Sequence, residues 1–499
     1  MGKSKKIISG LAWTVIQNVV SILYGLVSVP YLINYFGKEE YGLIGIALSV
    51  NAYVQILDMG MNNANVKFFS EYLGKGELDN YQKYFSLTYL LYIIIGVINT
   101  IVLIIVSLYS DIIFRVTIEQ AETLRNLLWI LALNATFSWI SVCFDQLLRA
   151  QEYIDWIIKR STLLKVLQFL VLAIVIVGHY SIEVYFFCYV FLATVILPLT
   201  IIKTRKVQPW LEIRSYFDIV TFKTVMPYIM NIFSFGIFQF LASSSRPLFL
   251  GSISGPSSVA EYQVMLTITS VITIFTGAFT QVLLPFVTKL VVMNDRTNLE
   301  RVVFQGSKYV NIFLTLLVFS ILSSCMPLLH LYVGDSFVGI SEWLTLWLLM
   351  LLLSHRNVMT SLVFSQKNLR IVSLMGCLAT SIAITLYCIL IPQYGVGGVV
   401  IGYFVHDLIH TLFYYTYYFP KVLKFNTVPF LIKSIIPIWF MAFVLVFLIN
   451  TSTREFIMND IAHVIINIST FFLVFVCFIW FVCLNKEDKI VLISLISRK

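Results

Sequence analysis

The sequence predicts an all-α polytopic membrane protein with about 14 transmembrane helices. Three observations lead there. The 499 residues are 59% hydrophobic and only 12% charged, with a mean hydropathy of +0.90, where soluble domains are nearer a quarter charged. Apolar runs of about 20 residues recur along the whole chain with short polar breaks. The basic residues cluster at every second break, as the preference of Lys and Arg for the cytoplasmic side requires.

Taken in order, the spans are expected near 9–36, 40–66, 84–108, 124–148, 155–178, 183–203, 221–250, 259–288, 306–332, 340–365, 369–391, 395–419, 428–449 and 461–484. The first begins behind Lys3, Lys5 and Lys6 and continues without a small-residue cleavage site, so it reads as a span that stays and not as a signal peptide. Pro30 and Pro227 sit near the ends of the two longest runs, where they can bend them. With the N-terminus inside, 28 of the 34 Lys and Arg lie in or beside cytoplasmic segments. Only Lys38, Arg115, Arg125 and Arg454 fall on the other side, and Arg246 and Arg356 fall inside spans. Adding or dropping one span would misplace whole clusters. Both termini are therefore expected in the cytoplasm.

The net charge of +9 follows from this topology and does not point to nucleic acid. The seven Cys form no CxxC pair, so neither a zinc site nor a disulfide framework is indicated. No break between spans is long enough for a soluble catalytic domain, and no P-loop pattern is present. An enzyme is not expected.

A weak internal repeat suggests the domain plan. Glu40-Tyr41 opens the second span and Glu261-Tyr262 the eighth, 221 residues on. Gln151-Glu152-Tyr153 before the fifth is matched by Gln366-Lys367-Asn368 before the eleventh, 215 residues on. If these matches reflect a duplication, its unit is six spans, and an even number keeps both copies in one orientation. The expected plan is an N-terminal six-helix lobe (1–206), a second six-helix lobe (207–424) related to it by a pseudo-two-fold axis along the membrane normal, and two further helices with a cytoplasmic tail (425–499).

The most informative stretch is Tyr41–Lys67. On a continuous helix Asn51, Gln55, Asp58, Asn62 and Asn65 share about an 80° sector over about 21 Å. Lipid cannot hydrogen-bond such groups, and each left unpaired costs on the order of several kcal/mol. The stripe must face other helices or a wet cleft.

Several short motifs resemble those of polysaccharide-biosynthesis flippases of the O-antigen and capsule type, in the multidrug/oligosaccharidyl-lipid/polysaccharide (MOP) transporter superfamily. They are Phe36-Gly37 followed by Glu40-Tyr41-Gly42, Leu57-Asp58-Met59-Gly60, Arg246-Pro247-Leu248-Phe249-Leu250-Gly251, and Tyr394-Gly395-Val396-Gly397-Gly398. The resemblance implies two six-helix bundles facing a central cavity. It also implies movement of an undecaprenyl-pyrophosphate-linked oligosaccharide from the inner to the outer leaflet of a bacterial inner membrane, for lipopolysaccharide or capsule assembly, beside the polymerase and glycosyltransferases of the same pathway. Where such proteins often carry an acid just before the arginine ending the seventh span, this chain has Ser245.

Such a cargo needs cations and hydrogen-bonding groups inside the membrane. Arg246 and Arg356, with Asn51, Gln55 and Gln239, are the expected substrate-binding residues, because a guanidinium fork suits phosphate oxygens. Two other fates stay open: Arg246 reaching the outer interface, and Arg356 paired with an interior acid. His406-Asp407-Leu408-Ile409-His410 places two imidazoles one turn apart beside a carboxylate. Lacking the glutamate base and a third ligand it is not expected to hold zinc. With Asp58 it supplies the candidates for ion coupling, namely Asp407, Asp58, His406 and His410, or else a buried hydrogen-bonded cluster. No cofactor is expected, with proton or sodium coupling left open. The competing readings are an organic-cation antiporter, which should have an acid-rich cavity, and a membrane glycan polymerase or ligase, which should have a larger outer loop.

Overall fold

The computed structural model describes residues 3–293, 295–360, 362, 370–453, 459–484 and 489. Gln366-Lys367-Asn368, Arg454, Lys486, Arg498 and Lys499 lie outside them. Among the described residues every regular element is helical.

Thirteen helices among the described residues are long and apolar enough to cross a membrane, or fourteen when a bent pair, Ile219–Ser234 with Gly236–Ile253 at 52°, counts as one span; that pair falls on the expected seventh. Several helices are longer than the expected spans because they extend into the breaks, as Leu78–Leu108 and Ile118–Ala150 do. Their ends are chemically defined. Thr117 and Gln120 form a reciprocal capping box at the start of the fourth span. At the start of the seventh Asp218 accepts from the Thr221 hydroxyl and, at 2.8 Å, from its N–H, and these bonds, the hydroxyl's first, hold its carboxyl below the usual range.

The chain divides into two compact units. The first takes in Met1–Val264 and Tyr387–Val396, the second Met265–Leu386 and Gly397–Lys499. In the first unit the third span packs along the fourth, the fourth along the sixth, and the first along the fifth. Its core is aromatic: Tyr81, Tyr84, Phe85, Tyr92 and Phe144 are all essentially without exposure. In the second unit the ninth span, Arg296–Leu322, is the central post against which the tenth, thirteenth and fourteenth pack. Polar contacts fasten it there: Trp439 Nε1 donates to Asn311 Oδ1 at 2.6 Å and Asn467 Nδ2 to the Ser323 carbonyl at 2.8 Å. Amide and indole groups of this kind act as glue between membrane helices.

The Glu40-Tyr41-Gly42 motif acquires a physical reason in the first unit. A Cβ at Gly42 would overlap the Pro256 carbonyl, so the second span and the start of the eighth touch backbone to backbone. Lys38 and Glu261 pair beside this contact at 2.7 Å. The two Glu-Tyr segments of the repeat therefore lie against each other.

Besides the bent seventh, two further expected helices stop and restart. The ninth span stops at Leu322, and Cys325–Val333 forms a separate short helix. On it His330 bridges two carboxylates, with Nδ1 at 2.5 Å from Asp460 and Nε2 at 3.0 Å from Asp335. Two acceptors require two N–H donors, so the bridge is made by the imidazolium, and the Asp460 bond first and Asp335 second raise the His330 pKa above 6.5. A raised pKa contributes stability fully below the unfolded value and loses it as pH climbs through the folded one. The melting temperature of the purified protein should exceed that of His330→Gln at about pH 6, and the gap should close toward about pH 9. A gap that widens with pH would contradict the bridge.

Candidate functional site

The second interruption shapes the site. The helix expected to run through Tyr41–Lys67 ends at Tyr53, tightens into a 3₁₀ turn over Val54–Asp58, and restarts at Met61. Met59 is extended and Gly60 has φ +92°. The stripe is therefore not one 80° sector of a single helix. The break turns Asp58 inward, to 7% exposure, and starts a second helix carrying Asn62 and Asn65.

Asn51, Gln55, Asp58 and Asn62 nevertheless line one cavity of about 310 Å³ within the first unit. Asn99 of the third span and Ser138, Asp145, Gln146 and Arg149 of the fourth complete its polar wall. Asn99 Nδ2 donates to Asn51 Oδ1 at 2.8 Å, Gln146 Nε2 donates to Asn62 Oδ1, and Asn62 Nδ2 donates to Asp58 Oδ2. The Tyr92 hydroxyl donates to Asp58 Oδ1 at 2.7 Å and accepts from Asn65 Nδ2 at 3.1 Å. Tyr84 in turn donates to Asn65 Oδ1 at 2.7 Å. A continuous relay thus runs from the cavity wall into the aromatic core, and Asn65 belongs to its buried end.

The charges in this cavity differ in what holds them. Asp145 is engaged by Arg160, whose Nη1 and Nη2 each reach a carboxylate oxygen at 2.7 Å while Nη1 also meets Thr200 at 2.6 Å. Asp58 is met by amide and phenol donors and has no ion pair among the described residues. Arg149 is exposed and likewise has no ion pair among them. The cavity therefore offers carboxamides, one cation and one hydrogen-bonded carboxylate. Asn99, Ser138, Gln146 and Arg149 escaped the sequence reading. Ser138, Val142, Asp145 and Arg149 recur at helical spacing, and the periodicity test applied to the second span finds them in the fourth.

The second unit builds a different cluster. Arg356 ends a 3₁₀ turn, Leu352–Arg356, inside the tenth span and is 8% exposed. Its two Nη atoms pair bidentately with the Asp407 carboxylate, Nη1 to Oδ2 at 3.0 Å and Nη2 to Oδ1. Nη1 also donates to Thr411 Oγ1 at 2.8 Å and to the Leu353 carbonyl at 3.1 Å. Of the two fates left open for Arg356, the structure has the interior ion pair. Next to it His355 donates from Nδ1 to the Leu352 carbonyl at 2.8 Å, so its Nε2, 2.7 Å from Tyr415, accepts from the hydroxyl. The His406 and His410 rings sit 4.7 Å apart. No group of three or more His, Cys, Asp or Glu among the described residues has metal-site geometry.

Arg246, in the first unit, is 4% exposed with Nε donating to the Ala242 carbonyl at 3.0 Å. Ser245 before it turns its hydroxyl onto the Leu241 carbonyl at 2.5 Å. Gln239 is exposed one turn before Ser243, whose hydroxyl donates to the Gln239 carbonyl at 3.0 Å.

The helical architecture is shared with known structures. The chain superposes on a lipid II flippase MurJ in an inward closed conformation with TM-score 0.73 at 16% identity, covering 93% of this chain and 97% of that one. It superposes on an inward-facing multidrug resistance MATE transporter with TM-score 0.61 at 16% identity, covering 81% and 95%. A third likeness is a MOP superfamily transporter from Pyrococcus furiosus, described as having a binding pocket of reversed polarity, with TM-score 0.52 at 15% identity and 82% and 93% coverage. The chain thus shares the fold of these proteins. No curated protein matches the sequence itself. The family model for polysaccharide biosynthesis proteins matches residues 7–291, and the chain belongs to that family.

Proposed function

We propose that the protein is a flippase that carries a prenyl-pyrophosphate-linked oligosaccharide from the inner to the outer leaflet of a bacterial inner membrane, with both termini cytoplasmic. The observation that carries the reading is the first unit's cavity, lined by amide side chains and by Arg149, which is exposed and has no ion pair among the described residues. Asn51, Gln55 and Asn62 supply the hydrogen bonds a sugar loses with its water, and Arg149 supplies a charge for the pyrophosphate. The prenyl chain stays in lipid. Asp58 is the favoured coupling group, since a buried carboxylate with no cationic partner among the described residues gains most from a proton or sodium ion. Asp407 already has Arg356, which leaves it a structural or switching role with His406 and His410. Arg246, Arg356 and Gln239 rank below the cavity residues as cargo contacts.

The test is a deletion strain complemented with variants, reading surface glycan and prenyl-linked glycan retained on the cytoplasmic leaflet. Arg149→Gln should lower export about ten-fold or more at unchanged protein level, since a charge-assisted hydrogen bond contributes about 1.5–3 kcal/mol. Full export by that variant removes Arg149 from the site. A deletion that leaves the prenyl-linked glycan distributed as in the parent strain removes the function.

A further inference from the structure

Where the fifth span begins and the sixth ends, the two helices enclose a groove of about 470 Å³. The fifth, Ile154–Val177, contributes Trp156, Lys159, Arg160 and Leu163, and the sixth, Ile182–Val207, contributes Leu199, Ile202, Lys203 and Lys206. Each set follows the spacing i, i+3, i+4, i+7, so one face of each helix looks into the groove. Four cations stand there, and two are neutralised: Arg160 by Asp145, and Lys159 by Asp155 at 3.3 Å. Lys203 lies over the Tyr153 ring at 4.5 Å, and neither it nor Lys206 has an ion pair among the described residues. The groove therefore keeps an excess of two positive charges.

Beneath the charges the groove is greasy. Leu163, Leu199 and Ile202 are 56%, 48% and 51% exposed, on helices that cross the membrane. Lysines at span ends sit at headgroup depth and the leucines one or two turns deeper sit among acyl chains. A ligand that satisfies both levels has a negative head on a hydrocarbon tail. We propose that this groove is a binding site for one anionic phospholipid, its phosphodiester between Lys203 and Lys206 and its chains along Leu163, Leu199 and Ile202. The groove shares no lining residue with the polar cavity, the two adjoining at the Arg160–Asp145 pair, and it does not depend on which cargo crosses.

The experiment is native mass spectrometry of the full-length protein titrated with phosphatidylglycerol or phosphatidylcholine. Wild type should retain one phosphatidylglycerol in preference to phosphatidylcholine. Each lysine removed should weaken that retention about five-fold, so Lys203→Gln with Lys206→Gln gives about 25-fold. Lys206→Gln alone gives the five-fold reading should the double variant fold poorly, and Lys206→Arg should bind as wild type. Lys421→Gln, at another span end, should change nothing. Unchanged phosphatidylglycerol retention in the double variant overturns the proposal. So does displacement of the lipid by a millimolar excess of inorganic phosphate, which marks a free-phosphate site, or by undecaprenyl phosphate, which marks a cargo site.

Discussion

Arg356→Met should destabilise the protein by about 3–5 kcal/mol, and Arg356→Met with Asp407→Leu should recover most of the loss. The guanidinium and carboxylate form a bidentate pair with side chains 10% and 14% exposed, Thr411 and the Leu353 carbonyl taking up further donor capacity. Removing the arginine strands the Asp407 charge in a low-dielectric interior, which is costly whatever the pair itself contributed. Removing both leaves two apolar side chains among apolar helices. The double-mutant cycle, measured by thermal unfolding in one detergent, should therefore show strong non-additivity. Additive losses would mean that the carboxylate finds another partner when the arginine is gone. Export by the stable double variant then separates the structural role of the pair from any coupling role of Asp407.

Gly60→Val should be nearly as damaging, on the order of 3 kcal/mol, through backbone and not charge. Gly60 sits at φ +92° where the second span breaks, and a Cβ there would come within 2.5 Å of the Ile229 carbonyl. A valine must leave the positive-φ region or push the seventh span away, and either rotates Asp58 out of the cavity. The checkable signature is a lower melting temperature together with lost export, both rescued less by Gly60→Asn than by the return of glycine, because asparagine tolerates positive φ but still carries the clashing Cβ. A valine variant with wild-type stability would show that the break does not need glycine.

Much of the molecule was legible before any coordinates. Apolar length and the alternation of basic clusters were enough for the spans, since both are set by the bilayer and read locally. The polar stripe was legible for the same reason: carboxamides in a span must find partners, and Asn51, Gln55, Asp58 and Asn62 do meet in one hollow. What misled was the assumption of a continuous helix. Leu57-Asp58-Met59-Gly60 reads as an ordinary span until Ile229 is known to lie against Gly60.

By itself, then, the sequence determined a fourteen-span helical protein, its family likeness, and the need for a wet interior, because hydrophobic length and the cost of unpaired polar groups depend on composition and spacing alone. Tertiary structure decided which charges meet. It gave Arg356 to Asp407, Arg160 to Asp145 and His330 to Asp335 and Asp460, and it left Asp58 and Arg149 without ion pairs among the described residues. The energy of a charge in a low-dielectric medium depends on neighbours within a few ångströms, and those neighbours come from helices distant in the chain.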